Sequence, residues 1–223
     1  YVDKPFTKEA SFNFEKFKQH VEKAMRMMDD IIDLELEKIE LIINKIAADP
    51  EDEDIRRVEL ELWKKIRTMA RKGRRTGLGI TAEGDMLAAL GLRYGTPEAT
   101  AFAVKVQKTL ALEAYRASVK MAAERGAFEI FDARKEEKNP MIGRIREADP
   151  ELYAEMVKHG RRNIAMLTIA PTGTTSLMSQ TTSGIEPVFR PVYKRRRKIN
   201  PSDQDAKVAF VDDMGEKFEE YNV

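Results

Sequence analysis

The residues with the clearest potential for chemistry lie in one short loop, residues 171–176, which reads Pro-Thr-Gly-Thr-Thr-Ser. The apolar run before it, residues 163–170, is bounded by strand breakers and predicts a buried strand. After it, Leu177 and Met178 continue as a predicted short helix. A helix N-terminus presents unpaired backbone N–H groups and a partial positive charge, and both favour a phosphate group. Gly173 would let the backbone approach such an anion closely, and the hydroxyls add donors.

Taken alone, this loop leaves two interpretations open. The phosphate loop of ATPases needs a lysine directly after its glycine, but Thr174 stands there, so that class of site is excluded. The hydroxyls of Thr172, Thr174, Thr175 and Ser176 either bind phosphate or cap an ordinary helix start.

Three other groups of charged residues each allow both a functional and a structural interpretation. Arg74 and Arg75 follow a predicted helix end and either contact a phosphate or, as we favour, cap carbonyl groups or face solvent. Glu186 acts either as an acid or, as we favour, as an anchor that accepts backbone hydrogen bonds. The basic run of residues 194–198 favours a solvated surface over a nucleic-acid site, because the chain as a whole is nearly neutral.

Composition excludes several classes of function. The 223 residues contain no cysteine, so neither disulfides nor thiolate metal sites nor thiol chemistry can come from this chain. The two histidines, His20 and His159, are far apart in sequence, which predicts no metal site. Lys and Arg total 39 against 38 Asp and Glu, so no strong overall field attracts nucleic acid or membrane. We find no long apolar segment and expect a cytoplasmic location.

Helices must position the loop, because helical periodicity dominates the sequence. From Asn13, a potential cap, apolar residues recur at three- and four-residue spacing to about Ala48, and a second helix is predicted over residues 55–72 with Gly73 as a left-handed cap. Thr96-Pro97 predicts the start of a buried helix that runs to about Arg125. Further helices are predicted over residues 84–90 and 150–159, and a last one near residues 206–221.

Three segments together resemble the large, catalytic subunit of ribonucleotide reductases. The first is the loop with its flanks: Ala-Pro-Thr-Gly-Thr at residues 170–174, then Ser-Gly-Ile-Glu-Pro-Val-Phe at residues 183–189. The second is Arg-Arg-Thr-Gly-Leu-Gly at residues 74–79 with Asp-Met-Leu at residues 85–87, and the third is the helical segment of residues 24–33. The form of the loop resembles most the adenosylcobalamin-dependent class of the family.

The resemblance implies a role for the loop and a fold for the chain. In the family this segment ends a barrel strand and holds the substrate's phosphates, which assigns phosphate binding to Ala170, Pro171, Thr172, Gly173, Thr174, Thr175 and Ser176. It implies an α/β fold, predominantly helical here, as one part of the family's ten-stranded α/β barrel. Residues 1–223 would form a partial barrel domain, divided into a helical wall (13–72), further helices (74–160), the strand, loop and extended segment (161–193), and a basic run with a charged tail (194–223).

The resemblance also implies chemistry that this chain lacks. The family reduces the ribose 2′-hydroxyl with a cysteine thiyl radical and a cysteine pair, so we expect no catalytic residue in this chain and no activity of the chain alone. Adenosylcobalamin is implied for the intact enzyme and not for this chain alone. The implied partners are a ribonucleoside diphosphate or triphosphate, the remaining segments of the catalytic subunit and a thioredoxin-like reductant. We expect the isolated chain to aggregate or to form a homodimer through exposed apolar faces.

Two alternatives stay open at this point. The first is the same segment of an iron-dependent large subunit, which the form of the loop disfavours. The second is a helical interaction or nucleic-acid-binding module that uses the basic run of residues 194–198, and this alternative leaves the loop of residues 171–176 unexplained.

Overall fold

The chain is described by a computed structural model that covers residues 1–203 and 205–222. It divides into two compact units, a main unit of residues 1–186 and a second unit that begins at Pro187. The elements of the main unit are β1 (Val2–Asp3), β2 (Ser11–Phe12), α1 (Phe14–Ala47), α2 (Glu53–Gly73), α3 (Glu83–Ala89), α4 (Pro97–Arg125), α5 (Ala133–Glu136), α6 (Pro140–Ala148), α7 (Pro150–His159) and α8 (Gly173–Ser179). The predominantly helical character is therefore confirmed.

The first helix, α1, confirms the predicted cap and periodicity. The Asn13 side chain accepts a hydrogen bond from the backbone N–H of Lys16 at 3.0 Å, which satisfies one of the free donors of the first turn. The helix then runs unbroken for 34 residues. Its inward side buries Phe17, Val21, Met25, Ile32, Ile39, Ile43 and Ile46.

The second helix, α2, ends differently from the prediction. The Asp52 side chain accepts a bond from the Asp54 N–H at 2.9 Å and caps the start, but Gly73 is the last helical residue and not the left-handed one. The left-handed residue is Arg74, with φ 45°. A non-glycine residue is costly in this region, and the buried bonds of the Arg74 side chain, described below, hold it there.

The centre of the main unit is α4. Thr96 caps it by accepting a bond from the Ala99 N–H at 3.3 Å, and Pro97 occupies the first turn, as predicted. The helix packs on α1, α3 and α7, so its apolar residues are buried on more than one side. This core includes Val106, Leu110, Ala114, Ala117, Val119 and Met121.

Two extended segments cross this helical layer side by side. The Thr76 N–H donates to the Ala165 carbonyl at 2.9 Å, and the Thr168 N–H donates to the Leu78 carbonyl at 3.0 Å. The predicted regular strand over residues 163–170 is wrong in detail, because the ladder reduces to one parallel bridge between Leu78 and Leu167. Only one neighbouring segment pairs with it among the described residues, and a short one-sided pairing does not extend into a regular ladder.

The second unit contains a small antiparallel sheet in the order β3–β5–β4, formed by Lys194–Lys198, Lys217–Asn222 and Phe210–Val211. The helix predicted near residues 206–221 is therefore wrong. In β5 a Lys-Phe-Glu-Glu-Tyr run pairs with the basic β3, so cross-strand attraction between opposite charges outweighs the local helical tendency. The Phe210 and Phe218 rings stack with centroids 4.9 Å apart.

No helix among the described residues is both long enough and apolar enough to cross a membrane.

Candidate phosphate-binding site

The loop leads directly into the short helix α8, which begins at Gly173. Thr172 precedes the helix in the left-handed region, with φ 49°, and its side chain makes no capping bond. Among the described residues, the backbone N–H groups of Gly173, Thr174 and Thr175 donate no hydrogen bond, and the first bonded N–H is that of Ser176, to the Thr172 carbonyl at 2.8 Å. The interpretation as a hydroxyl-capped helix start is therefore wrong. The helix starts with free donors instead.

The Thr172 hydroxyl contacts residues outside α8 instead of capping the start of that helix. It lies 3.0 Å from the Thr81 hydroxyl and accepts a bond from the Gly184 N–H at 2.8 Å. The Thr81 hydroxyl also donates to the Thr182 carbonyl at 3.2 Å, and the Thr182 N–H donates to the Asp85 carboxylate at 2.8 Å. Thr172 thus ties the loop to the start of α3 and to the segment that follows α8.

The other predicted residues divide into exposed and internal groups. Pro171, Gly173, Thr174 and Thr175 are exposed, and Ala170 is half-buried. Ser176 is buried, and its hydroxyl donates to the Gly173 carbonyl at 2.8 Å, so it is engaged within the helix. The donors that face no partner are therefore the N–H groups of residues 173–175 and the two exposed threonine hydroxyls.

Arg74 and Arg75 lie at the start of the extended segment that pairs with the strand before the loop, and they do not bind an anion together. Arg74 is buried, and its guanidinium donates to Asp29 at 2.8 Å and to Asp33 at 2.7 Å, while Arg75 is exposed. The favoured interpretation, that these arginines cap carbonyl groups or face solvent, is confirmed for Arg75, which is exposed. It is wrong for Arg74 apart from one bond to the Asp29 carbonyl at 2.9 Å.

A buried polar network centred on Asp29 joins four parts of the main unit. Besides Arg74, the Asp29 carboxylate accepts bonds from Arg162 at 3.1 Å and from the Asn163 amide at 3.0 Å. Asn163 in turn accepts a bond from the Ser118 hydroxyl of α4 at 2.9 Å. The network links α1, α4 and the starts of both extended segments, so it fixes the segment that carries the loop.

The charges within this network determine the protonation of Asp29. Burial by itself would raise the pKa of this carboxyl, but the hydrogen bonds and positive charges of Arg74 and Arg162 outweigh burial and lower the pKa. Asp29 therefore stays ionised. Sequence reasoning did not identify this residue, although it is a charged residue on the buried side of α1, between Met25 and Ile32, and that position was the available signal.

The same region is the one cluster of carboxylates among the described residues that could hold a metal ion, and it consists of Asp29, Asp30 and Asp33. Arginine side chains already supply the positive charge that balances these carboxylates. Arg74 and Arg162 bond to Asp29, and Arg125 lies 2.7 Å from Asp30. We therefore assign the cluster to internal ion pairing.

A largely apolar hollow of about 560 Å³ lies beside α3, lined by residues of α1, α3, α4 and the segment 78–82. Its ionisable residues are Tyr1, His20, Glu83 and Asp85. Two of these carboxylates are engaged, because Glu83 accepts a bond from Gln107 at 2.9 Å and Asp85 accepts the bond from Thr182 already described.

In the second unit, the basic strand β3 is largely neutralised. Arg196 lies 2.6 Å from Glu220, Arg197 lies 2.6 Å from Glu219, and Lys198 lies 2.9 Å from Glu216. These pairs weaken the interpretation of this run as a nucleic-acid site, which needs free positive charge.

Comparison with known proteins identifies a family. The sequence model described as "Ribonucleotide reductase, barrel domain" matches residues 2–216. A vitamin B12-dependent ribonucleoside-diphosphate reductase of Mycobacterium tuberculosis is 36% identical over 127 residues, which cover 56% of this chain and 16% of the relative. The protein of the same name from Thermoplasma acidophilum is 31% identical over 183 residues, covering 82% of this chain and 18% of the relative.

A third relative, the ribonucleoside-diphosphate reductase subunit alpha of Treponema pallidum, is 30% identical over 134 residues, covering 56% of this chain and 15% of the relative. The chain thus spans about a sixth of the length of these curated relatives. The match of the family model extends over nearly the whole chain and includes both extended segments and the loop. The chain therefore belongs to the ribonucleotide reductase barrel-domain family.

Proposed function

We propose that this chain supplies the substrate-phosphate site of a ribonucleotide reductase, the enzyme class that converts ribonucleotides to 2′-deoxyribonucleotides by radical chemistry. The observation that carries the proposal is the run of free backbone N–H groups at residues 173–175, beside the exposed hydroxyls of Thr174 and Thr175. Backbone donors at a helix start suit the oxygens of a diphosphate or triphosphate alike.

The rest of the loop positions these donors. The bonds of Thr172 to Thr81 and to Gly184 hold the backbone just before α8, so the donors need little ordering when the anion binds. In this proposal Ala170 and Pro171 shape the approach to the site, and Ser176 closes the first turn from inside.

We further propose that the two extended segments, residues 76–80 and 164–168, are adjacent strands of the family's ten-stranded barrel. Their parallel hydrogen bonding supports this assignment, because neighbouring strands of an α/β barrel run parallel with helices outside. The phosphate loop then follows the carboxyl end of a strand, where α/β folds place their ligand sites.

The reduction itself would require residues beyond those of this chain. Thiol chemistry is outside its reach, since it contains no cysteine. Two of the relatives are named vitamin B12-dependent reductases, and we propose that adenosylcobalamin, a form of that vitamin, would supply the radical chemistry in the intact enzyme. Pockets of roughly 300–1,000 Å³ hold drug-sized ligands, and adenosylcobalamin is far larger than such ligands. The hollow beside α3 is largely apolar and has a volume of about 560 Å³, so the cofactor does not fit there.

The phosphate site can be tested by nuclear magnetic resonance on the isotope-labelled chain. We expect ADP and ATP to shift the backbone amide signals of residues 173–175 in a saturable manner, and adenosine to leave them unchanged. Thr174→Ala with Thr175→Ala should weaken the binding of ADP, whereas Thr100→Ala, at an exposed threonine on α4, should not. Equal shifts with adenosine, or shifts confined to other parts of the chain, would refute the proposal.

A further inference from the structure

The short helix α8 gains little from apolar packing against the rest of the main unit. Only Ser176 of its seven residues is buried. Leu177 and Met178, its two large apolar residues, are 81% and 84% exposed. Hydrophobic stabilisation is proportional to the apolar area removed from water, so it contributes little to the position of this helix. Polar contacts must therefore hold it in place.

These polar contacts all come from one place. Every hydrogen bond that joins residues 172–184 to other parts of the described chain involves residues 81–85. The Thr81 hydroxyl lies 3.0 Å from the hydroxyl of Thr172, directly before α8. The same hydroxyl donates to the carbonyl of Thr182, shortly after α8, at 3.2 Å. One side chain thus contacts the chain on both sides of the helix.

Asp85 adds a second contact after the helix. Its carboxylate accepts a hydrogen bond from the Thr182 N–H at 2.8 Å, so both backbone groups of Thr182 are bonded to Thr81 and Asp85. The Thr182 hydroxyl, in contrast, is buried and has no hydrogen-bond partner among the described residues. Thr182 is therefore held through its backbone, which fixes the path of the chain after α8.

The backbone at both ends of α8 is strained. Thr172 before the helix has φ 49°, and Gln180 after it has φ 56°. Ala82, which follows Thr81, has φ 64°. Residues other than glycine are unfavourable in this left-handed region and persist there only where surrounding contacts hold them. The ends of α8 are therefore expected to relax when the contacts with Thr81 and Asp85 are removed.

We propose that Thr81 and Asp85 are positioning residues of the phosphate site. They hold α8 so that the N–H groups of residues 173–175 converge on one anion, and neither side chain needs to touch the ligand. The inference rests on the proposed function of the loop, and it adds the start of α3 to the residues that determine the affinity for phosphate.

A simpler explanation is that Thr81 and Asp85 make ordinary folding contacts. In that case their loss would lower the stability of the chain and leave the nucleotide affinity of the folded chain unchanged. The positioning role predicts the opposite, because α8 contributes no residue to the apolar core. Global stability should then change little, whereas the affinity should fall.

Variants of Thr81 test the hydroxyl. Thr81→Val keeps the shape of the side chain but removes both hydrogen bonds, and it should raise the dissociation constant of ADP about tenfold. Thr81→Ser keeps the hydroxyl and should bind ADP within about twofold of the unaltered chain. The dissociation constants come from the saturation of the amide shifts of residues 173–175.

Variants of Asp85 separate the hydrogen bond from the charge. Asp85→Ala removes the acceptor and should raise the dissociation constant of ADP by roughly three- to tenfold. Asp85→Asn keeps an oxygen that can accept the bond from Thr182, so it should retain most of the affinity.

A second measurement follows the helix without any ligand. The ¹³Cα chemical shifts of residues 173–179 report whether this segment is helical. In Thr81→Val and in Asp85→Ala they should move toward the values of an unfolded chain, while the shifts of α4 stay constant. Thr172→Val removes the contact with Thr81 from the side of the loop and should have the same effect, so the test does not depend on one variant that folds.

Matched controls make the same changes at exposed positions in the first turns of α4. Thr100→Val and Glu98→Ala should leave both the affinity for ADP and the shifts of residues 173–179 unchanged. Circular dichroism melting of every variant measures the global stability.

The possible outcomes separate this inference from the proposed function. An unaltered chain that does not bind ADP overturns the phosphate site, and the positioning role with it. Unchanged ADP binding in both Thr81→Val and Asp85→Ala overturns the positioning role alone and leaves the phosphate site in place. Equal losses of affinity in Thr81→Val and Thr81→Ser would also overturn the role assigned to the hydroxyl.

Discussion

Asp29 illustrates how a single residue fixes the geometry that the proposed phosphate-binding loop depends on. It is fully buried and ionised, and it holds Arg74, Arg162 and Asn163 from one carboxylate. Buried charges are stabilising only when every partner is present, so the loss of this one carboxylate leaves at least one guanidinium unmatched.

We therefore predict that Asp29→Asn lowers the free energy of unfolding by about 3 kcal/mol, because an amide cannot balance the charge of the buried arginines. Urea unfolding followed by circular dichroism measures the loss. The matched control is Asp30→Asn, since Asp30 is exposed and forms its pair with Arg125 near solvent, and it should cost less than about 1 kcal/mol. Equal losses for the two variants would contradict the assigned role of Asp29.

The lowered pKa of Asp29 predicts a pH dependence of this same contribution. An aspartate in the unfolded chain titrates near pH 4, and its folded pKa lies lower, so the stabilisation is complete above about pH 4. It is lost as the pH falls further, through the folded pKa. The difference in unfolding free energy between the unaltered chain and Asp29→Asn should therefore be constant from about pH 7 to 5 and shrink below pH 4. A difference that grows on acidification would contradict this account.

At the scale of elements, the close pairing of the two extended segments depends on a glycine. A Cβ atom added at Gly79 would lie 2.4 Å from the Thr168 carbonyl oxygen, which is part of the backbone and has no flexible side chain to move. Any larger residue at this position must therefore push the segments apart.

We predict that Gly79→Ala destabilises the chain by about 1–3 kcal/mol through this overpacking and also weakens ADP binding, because Thr168 leads to the loop. Gly143→Ala is the matched control. Gly143 lies within α6 with nothing within 4 Å of an added Cβ, so alanine should stabilise the helix by about 0.5–1 kcal/mol. Thermal unfolding of both variants measures the two effects, and effects of the same sign would contradict the prediction.

The elements also show what the sequence could and could not predict. The long helices α1 and α4 were predictable because their caps and their apolar spacing are local signals. Strand β5 was not, because its pairing with β3 joins residues 20 to 28 positions apart and overrides a weak local pattern. The site follows the same division.

In the site itself, the position of the loop at a helix start was predictable, since strand, glycine and hydroxyls are adjacent in sequence. The bonds that hold it were not. Thr81 is 91 residues from Thr172, and Asp29 is 134 residues from Asn163. Such contacts depend on how the helices pack, and no local pattern signals them.

At the scale of the whole molecule, the proposed function separates substrate binding from catalysis. The free donors of residues 173–175 belong to an intact part of the main unit, whereas the radical and reducing steps of the family use thiols, and this chain has none. Binding needs only the preorganised donors, but turnover needs a group that can carry the radical.

We accordingly predict that the chain binds ADP yet forms no deoxynucleotide when supplied with adenosylcobalamin and a dithiol. The measurement is chromatography of the nucleotides after incubation, with the vitamin B12-dependent reductase of Mycobacterium tuberculosis as a positive control under the same conditions. Asp29→Asn should weaken ADP binding, measured by the backbone amide shifts of residues 173–175, and should produce no turnover in the chromatographic assay, because it loosens the support of the loop and adds no reactive group. Deoxynucleotide formation by the chain alone would show that its chemistry does not depend on a cysteine and would overturn the division of roles proposed here.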